Sequence, residues 1–300
     1  MEIVLHFSLE FRAIKNPLSG TSLVRLSFYT YSYTDRLQLS VPETFARLSK
    51  TGYCGIDESS TFGNHLNSDS VSMERRALIR NAARDHKLKV EAIVTHGEMT
   101  TSLFSDAKLD LIAAVDLAAE LGGDVVTFHP GGSVKGVSDA EAWKRMVAAI
   151  KQAADHGDTK HVRVAIDCGI WPTWIIKSND DLAKLFDDVG SQSFGVNFDP
   201  CYLAVIGIDP VGFVQRFGRR ICHVHLKDYT GSYPKFEHKI PGQGILDYAA
   251  IVRALDKANF REALAVECFT DMPLVDACDI GYAAMKRAFE LAGVKFCPKG

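Results

Sequence analysis

A (β/α)8 barrel, an α/β fold with eight parallel strands inside a ring of helices, is the architecture this sequence predicts. The first observation is alternation: from Arg25 onward, short apolar strands and stretches of helical periodicity follow one another through eight strand-then-helix units. Each crossover helix returns the chain to the same edge, so the strands run parallel. The second is size, because 300 residues with no break between units suit one closed barrel, which typically takes roughly 250. The third is the first strand-to-helix turn, RLSFYTYSYTD, which lacks the glycine-rich signature of a doubly wound open sheet.

The predicted strands are RLSFYTY (25–31), YCGIDES (53–59), KVEAIVTH (89–96), DVVTFHP (124–130), HVRVAID (161–167), FGVNFD (194–199), ICHVHLK (221–227) and EALAVECF (262–269). Helices are expected near 41–51, 72–87, 106–122, 138–156, 180–190, 209–217, 247–259 and 276–292. Their ends carry start and stop signals. Pro42 stands in a first turn, Ser138 with Glu141 makes a capping box, and Asp180 and Asp247 are N-cap residues. Gly52, Gly122-Gly123 and Gly157 fall where helices should stop. Residues 1–24 are expected to be an N-terminal extension before a single barrel domain, 25–300. MEIVLHFSLEF carries Glu2 and Glu10 and lacks a basic start, so it is a poor signal peptide.

Composition narrows the partners. A net charge of -3 offers no general field for nucleic acid or anionic membrane, and no apolar run reaches the roughly 18 residues of a membrane span. The seven cysteines include no C-x-x-C pair and read as reduced thiols of a cytoplasmic protein. Cys168 and Cys268 each follow a candidate metal ligand, but strand alternation turns both away from the barrel interior, toward packing. Apolar faces on the outer helices would support a homodimer.

Four strands end in side chains that a hard cation binds: Asp167, Asp199, His225 and Glu267. Three carboxylates and an imidazole suit one divalent cation, Mn²⁺ foremost, then Mg²⁺, with Co²⁺ or Zn²⁺ tolerated. Counting back by twos from each gives Ala165 and Arg163, Asn197 and Gly195, His223 and Ile221, Ala265 and Ala263. The opposite parity gives Val164, Ile166, Val196, Phe198, Val224, Leu226, Leu264 and Val266. The bulky set suits the helix-facing side, and the small or polar set suits the interior. Chance would place all four ligands inward only about one time in sixteen.

The C-terminal rim of such a barrel is where active sites form. It also receives His96, His129, Tyr202, Lys227 and Asp228, with His238 in the loop after the seventh strand. His96, His129, Tyr202, Lys227 and His238 are the candidate substrate-binding residues. Each residue has a plainer role open to it: Asp199 before Pro200 suits a helix cap, and a lone inward histidine suits a hydrogen-bonded core. Three carboxylates crowded at one mouth without a cation would repel and raise each other's pKa, which favours the metal site.

TFHPGG, FDP, HVHLKD, PGQGILDY and a closing AVE together resemble the sugar phosphate isomerase/epimerase superfamily, xylose isomerase-like TIM barrels that include endonuclease IV, inosose dehydratases and hydroxypyruvate isomerases. The likeness spans about residues 25 to 292. It implies one Mn²⁺, Mg²⁺ or Co²⁺ held by Asp167, Asp199, His225 and Glu267. It further implies an enediolate formed from a small polyhydroxylated carbonyl substrate, with Asp167 and Glu267 as the catalytic base and acid. Two departures stand out: Asp167 replaces the usual glutamate, one methylene longer, and Tyr202 replaces the histidine of D-x-x-H. The resemblance therefore implies a sugar, sugar phosphate or cyclitol isomerase or epimerase. The alternative is an inosose- or dehydroshikimate-type dehydratase, and the last is a sugar-binding barrel without catalysis. A three-zinc DNA-repair site would need a further histidine where Tyr202 stands, an aspartate where Phe236 stands, and a basic surface that this chain lacks.

Overall fold

The computed structural model describes residues 23–60, 71–105, 110–167, 170–268 and 272–297. The expected extension lies outside these except for Leu23 and Val24, as do Cys168 and the expected start of the helix near 106. Eight parallel strands close into a barrel: β1 (Arg25–Tyr29), β2 (Gly55–Ser59), β3 (Lys89–Glu98), β4 (Val125–His129), β5 (Arg163–Asp167), β6 (Phe194–Phe198), β7 (Ile221–Leu226) and β10 (Ala263–Val266). The last strand pairs back onto the first, and the hairpin β8 (Asp228–Ser232) and β9 (Lys235–Lys239) interrupts the series after β7.

The helices are α1 (Val41–Thr51), α2 (Met73–Asp85), α3 (Met99–Ser102), α4 (Leu111–Leu121), α5 (Asp139–Lys160), α6 (Asn179–Val189), α7 (Pro200–Val205), α8 (Pro210–Phe217), α9 (Tyr248–Lys257) and α10 (Leu274–Ala292). The hairpin, α3 and α7 are additions to the expected pattern, and all follow the C-terminal ends of strands. Ser138 Oγ accepts from the Glu141 amide and Asp247 from the Ala250 amide, as the caps required.

Two expected helix ends are corrected. Gly157 does not stop α5, which runs on to Lys160 and is capped by His161 at φ 59°. The glycine instead allows close passage over the chain entering β5, because a Cβ there would run into the Val162 carbonyl. Asp180 is not the cap of α6. Ser178 Oγ accepts from the Asp181 amide, while Asp180 accepts from Arg216 at 2.7 Å.

The outward residues Val164, Ile166, Val196, Phe198, Val224, Leu226, Leu264 and Val266 are all buried beneath the helices. At about 1.5–3 kcal/mol for each large apolar side chain, this interface is the main source of stability. Inside the barrel, Ala92, Val125, Ala165 and Cys222 form a separate small cluster. Cys222 departs from strict alternation, which would have put Ile221 there. A bulge pairs Val196 with Ile221 but Asn197 with His223, so Ile221 joins the outer core and Cys222 packs inside. At the N-terminal end, Arg25 donates to Glu91 at 2.6 Å and Arg163 pairs with Glu262 at 3.2 Å.

Gly195 sits against the bulge, and a Cβ on it would meet the Arg220 carbonyl and lie 2.7 Å from Cys222 Sγ. Gly195→Ala is therefore expected to cost about 1–3 kcal/mol. A lower denaturant midpoint at unchanged slope would show it, and an unchanged midpoint would refute the crowding.

Candidate metal centre

The C-terminal ends of β5, β6, β7 and β10 bring Asp167, Asp199, His225 and Glu267 together inside the mouth, each no more than 5% exposed. His225 Nδ1 lies 3.2 Å from Glu267 Oε2 and 3.9 Å from Asp167 Oδ2. Its other nitrogen, Nε2, lies 3.3 Å from Asp57 Oδ2 on β2. These are ion-pair approaches, and neither ring nitrogen makes an aligned hydrogen bond. Tyr29, from β1, stacks on the His225 ring at 5.6 Å and 9°.

Asp199 has two duties. Its Oδ1 accepts from the Tyr202 amide and caps α7, which is the plainer role open to it. Its Oδ2 lies 2.6 Å from Lys227 Nζ, and the same ammonium donates to Glu267 Oε2 at 2.5 Å. Lys227 is thus buried at the centre of the set, its Nζ also 4.4 Å from the centre of the Tyr202 ring. Asp167 accepts from Asn197 Nδ2 at 2.8 Å, and its Oδ2 lies 3.7 Å from His129 Nε2.

The electrostatics follow from crowding in a dry interior. Burial, reinforced by Glu267 and Asp167, pushes Asp199 up to about 6 despite Lys227. Burial acts on Glu267 in the same sense, but Lys227 and His225 outweigh it and hold that carboxyl well below the usual range. For His225, burial disfavours the charged ring, yet Glu267 and Asp57 raise its pKa well above the ordinary value. A buried imidazole nitrogen aimed at two carboxylates needs a proton or a metal cation between them. The donor set fits a divalent cation on that ground: three carboxylates and one imidazole, with Lys227 already serving as a cation among them.

The rim residues surround this centre. His96 Nε2 lies 2.7 Å from Tyr29 Oη, and Tyr31 packs on its ring at 4.4 Å. His238 is carried on β9, with Nδ1 3.7 Å from Cys201 Sγ and its ring edge-on to Tyr202 at 5.4 Å. Trp171 meets Tyr202, Tyr233 and Phe236 at 5.2, 5.5 and 6.2 Å, building an aromatic wall beside the hairpin. Asp228 serves structure instead: its carboxylate accepts the amides of Tyr229, Gly242, Gly244 and Leu246 and ties down the PGQGIL loop.

Asp57, Tyr29 and Trp171 carry geometry that the sequence motifs did not single out. Tyr29 occupies the same alternating series as Arg25 and Ser27 on β1, a signal that could have found it. Asp57, His223 and His225 also bring three donor atoms within 4.8 Å of one another. A cleft of about 830 Å³ between α8 and α9, lined by Arg216, Arg219, Arg253 and Lys257 among others, lies away from these strand ends.

Fold and site together define an α/β barrel whose C-terminal mouth gathers acidic and imidazole side chains of the kind that hold a divalent cation. A family model described as xylose isomerase-like TIM barrel matches residues 45–288, and the chain belongs to that family. An inosose dehydratase of Clostridium beijerinckii is 21% identical over 304 residues, covering 91% of this chain and 99% of that protein. Solved structures of the same fold include a D-psicose 3-epimerase in the presence of D-fructose, at TM-score 0.72 and 16% identity over 90% of this chain and 100% of that one. Another is the IolI protein with a bound zinc atom, at TM-score 0.69 and 16% identity over 90% and 98% of the two chains.

Two expectations follow. Burial, then His129, lowers His96 to about 4, and burial with Lys227 lowers His238 to about 4, against 6.5 for a free imidazole. Between those values the unfolded chain binds more protons, so this contribution to stability is lost as pH falls through the window. Unfolding free energy should decline from pH 7 to 4.5, and less steeply in His96→Gln; equal slopes would contradict the assignment. Lys227→Met, by unpairing two buried carboxylates, should cost about 3–5 kcal/mol in chelator. Saturating Mn²⁺ should return part of that loss in denaturant titrations, and no loss in chelator would count against the ion-pair role.

Proposed function

We propose that this chain is a divalent-metal-dependent enzyme that removes a proton from a carbon next to a carbonyl in a small polyhydroxylated substrate, with dehydration of a keto-cyclitol of the inosose type as the leading outcome. The observation that carries the metal-dependent reading is the convergence of Asp167, Asp199 and Glu267 on His225 and Lys227 in a buried mouth. A bound divalent cation would supply Lewis-acid polarisation of the carbonyl and an adjacent hydroxyl. Asp167, Asp199, His225 and Glu267 are the residues to hold it, with Mn²⁺ the best match to an oxygen-rich set.

Glu267 is the proposed base. Its Oε2 is held by Lys227, which fixes the carboxylate in its ionised form and orients it. Asp167 is the proposed partner, but it is one methylene shorter than glutamate and is anchored by Asn197. That asymmetry favours a one-sided reaction, and the full-length likeness to inosose dehydratases favours elimination of water as its outcome. Tyr202, His96, His129 and His238 are the proposed substrate contacts around the rim, with Trp171 as an apolar wall.

The second reading is an isomerase or epimerase of a sugar or sugar phosphate, with Asp167 and Glu267 moving the proton on opposite faces. It is favoured by both carboxylates flanking His225 Nδ1, at 3.9 and 3.2 Å. The proposal further takes the enzyme as a cytoplasmic protein with one barrel domain, 25–300.

Incubation with an inosose and with ketohexoses in D₂O separates the readings. Near-ultraviolet absorbance from a conjugated product would mark the dehydratase. Deuterium at the carbon next to the carbonyl without that absorbance would mark the isomerase or epimerase. Neither signal, with sugar binding retained, would leave a non-catalytic sugar-binding barrel. Glu267→Gln should lower turnover by about 10²–10⁴-fold and weaken metal binding; full activity would refute the site.

A further inference from the structure

We infer that Asp57, on β2, is the positioning residue for His225: its carboxylate faces the Nε2 edge of the ring and so leaves Nδ1 turned toward Asp167 and Glu267. The inference rests on His225 being a metal ligand and concerns a residue outside the four-ligand set. Asp57 is fully buried, with Oδ2 2.6 Å from His223 Nε2 and 3.3 Å from His225 Nε2.

Asp57 Oδ2 shares a direct hydrogen bond with His223 Nε2, and the same oxygen faces the Nε2 edge of the His225 ring. For His225 this decides which edge of the ring faces the acids. With Nε2 turned to Asp57, Nδ1 is the nitrogen left to bind a cation, and it is the one beside Glu267 Oε2 and Asp167 Oδ2. Tyr29, stacked on the ring, fixes its plane, and the edge of His223 packs against it at 5.3 Å and 84°. A carboxylate behind a metal-binding histidine fixes ring orientation and raises ligand basicity.

The same three residues could instead hold an ion themselves, since their donor atoms cluster. The 2.6 Å contact between His223 Nε2 and Asp57 Oδ2 is a direct hydrogen bond. An ion bridging that pair at ordinary Zn–N and Zn–O lengths of roughly 2.0–2.2 Å would have to break it. The geometry therefore favours a positioning role over a second ion.

The test uses the full chain, free Mn²⁺ measured by electron paramagnetic resonance, and Zn²⁺ for nitrogen-15 NMR of the histidine rings. Asp57→Asn should weaken Mn²⁺ binding by about 10–100-fold, while His225→Ala abolishes it. In the Zn²⁺-loaded wild-type protein, His225 should keep its Nε2 proton and show the metal shift at Nδ1. Coordination through Nε2, or wild-type affinity and an unchanged tautomer in Asp57→Asn, would overturn the inference while leaving His225 a ligand. Undiminished binding in His225→Ala would overturn the metal reading itself. If Asp57→Asn does not fold, the wild-type spectrum decides alone.

Discussion

Charge balance in a dry barrel mouth is the constraint on which the rest of this structure depends. Asp57, Asp167, Asp199 and Glu267 are all buried, and the charged or chargeable nitrogens that face them belong to Lys227, His223, His225 and His129. Carboxylates withdrawn from water are tolerated only when paired, because desolvation costs several kcal/mol per ion. Lys227 answers part of that demand by bridging Asp199 and Glu267. The demand that remains, at His225 Nδ1, is what a divalent cation would satisfy.

The barrel supplies this crowding at little cost to its own stability. Apolar residues of the strands face the helices, so the polar positions of the same strands are free to line the interior. Ion pairs between Arg25 and Glu91 and between Arg163 and Glu262 close the N-terminal end, and a small cluster around Ala92, Ala165 and Cys222 lies within the barrel. The inserted segments α3, α7 and the β8–β9 hairpin all follow strand C-termini. Function in such barrels varies through the loops at that face. Here those insertions bring Tyr202 and His238 over the Lys227 ammonium and the acids.

The site is not symmetrical. Glu267 is locked to a lysine, whereas Asp167 is shorter than glutamate and tied to a neutral amide. Two carboxylates on opposite faces of a substrate would ideally have matched reach and basicity to exchange a proton in both directions. Unequal environments instead push paired groups into different roles. That asymmetry is the physical basis for proposing a one-sided reaction at this site.

Periodicity alone determined the barrel, because eight apolar strands with helices between them leave few other ways to bury the strands' outward faces. The strand-end set Asp167, Asp199, His225 and Glu267 was likewise legible, since alternation decides which face a strand residue takes. Local patterns failed where packing overrode them. Gly157 reads as a helix stop but permits a close crossing, and the bulge beside Asn197 exchanges Ile221 for Cys222. Lys227 read as a rim residue, yet its length lets the ammonium reach between two acids. Asp57 could be found only by folding the chain: it lies 166 positions from His223, and nothing in the short motif GIDES shows that the barrel closes one onto the other. Contacts between distant strands depend on register and closure, which the tertiary structure alone decides.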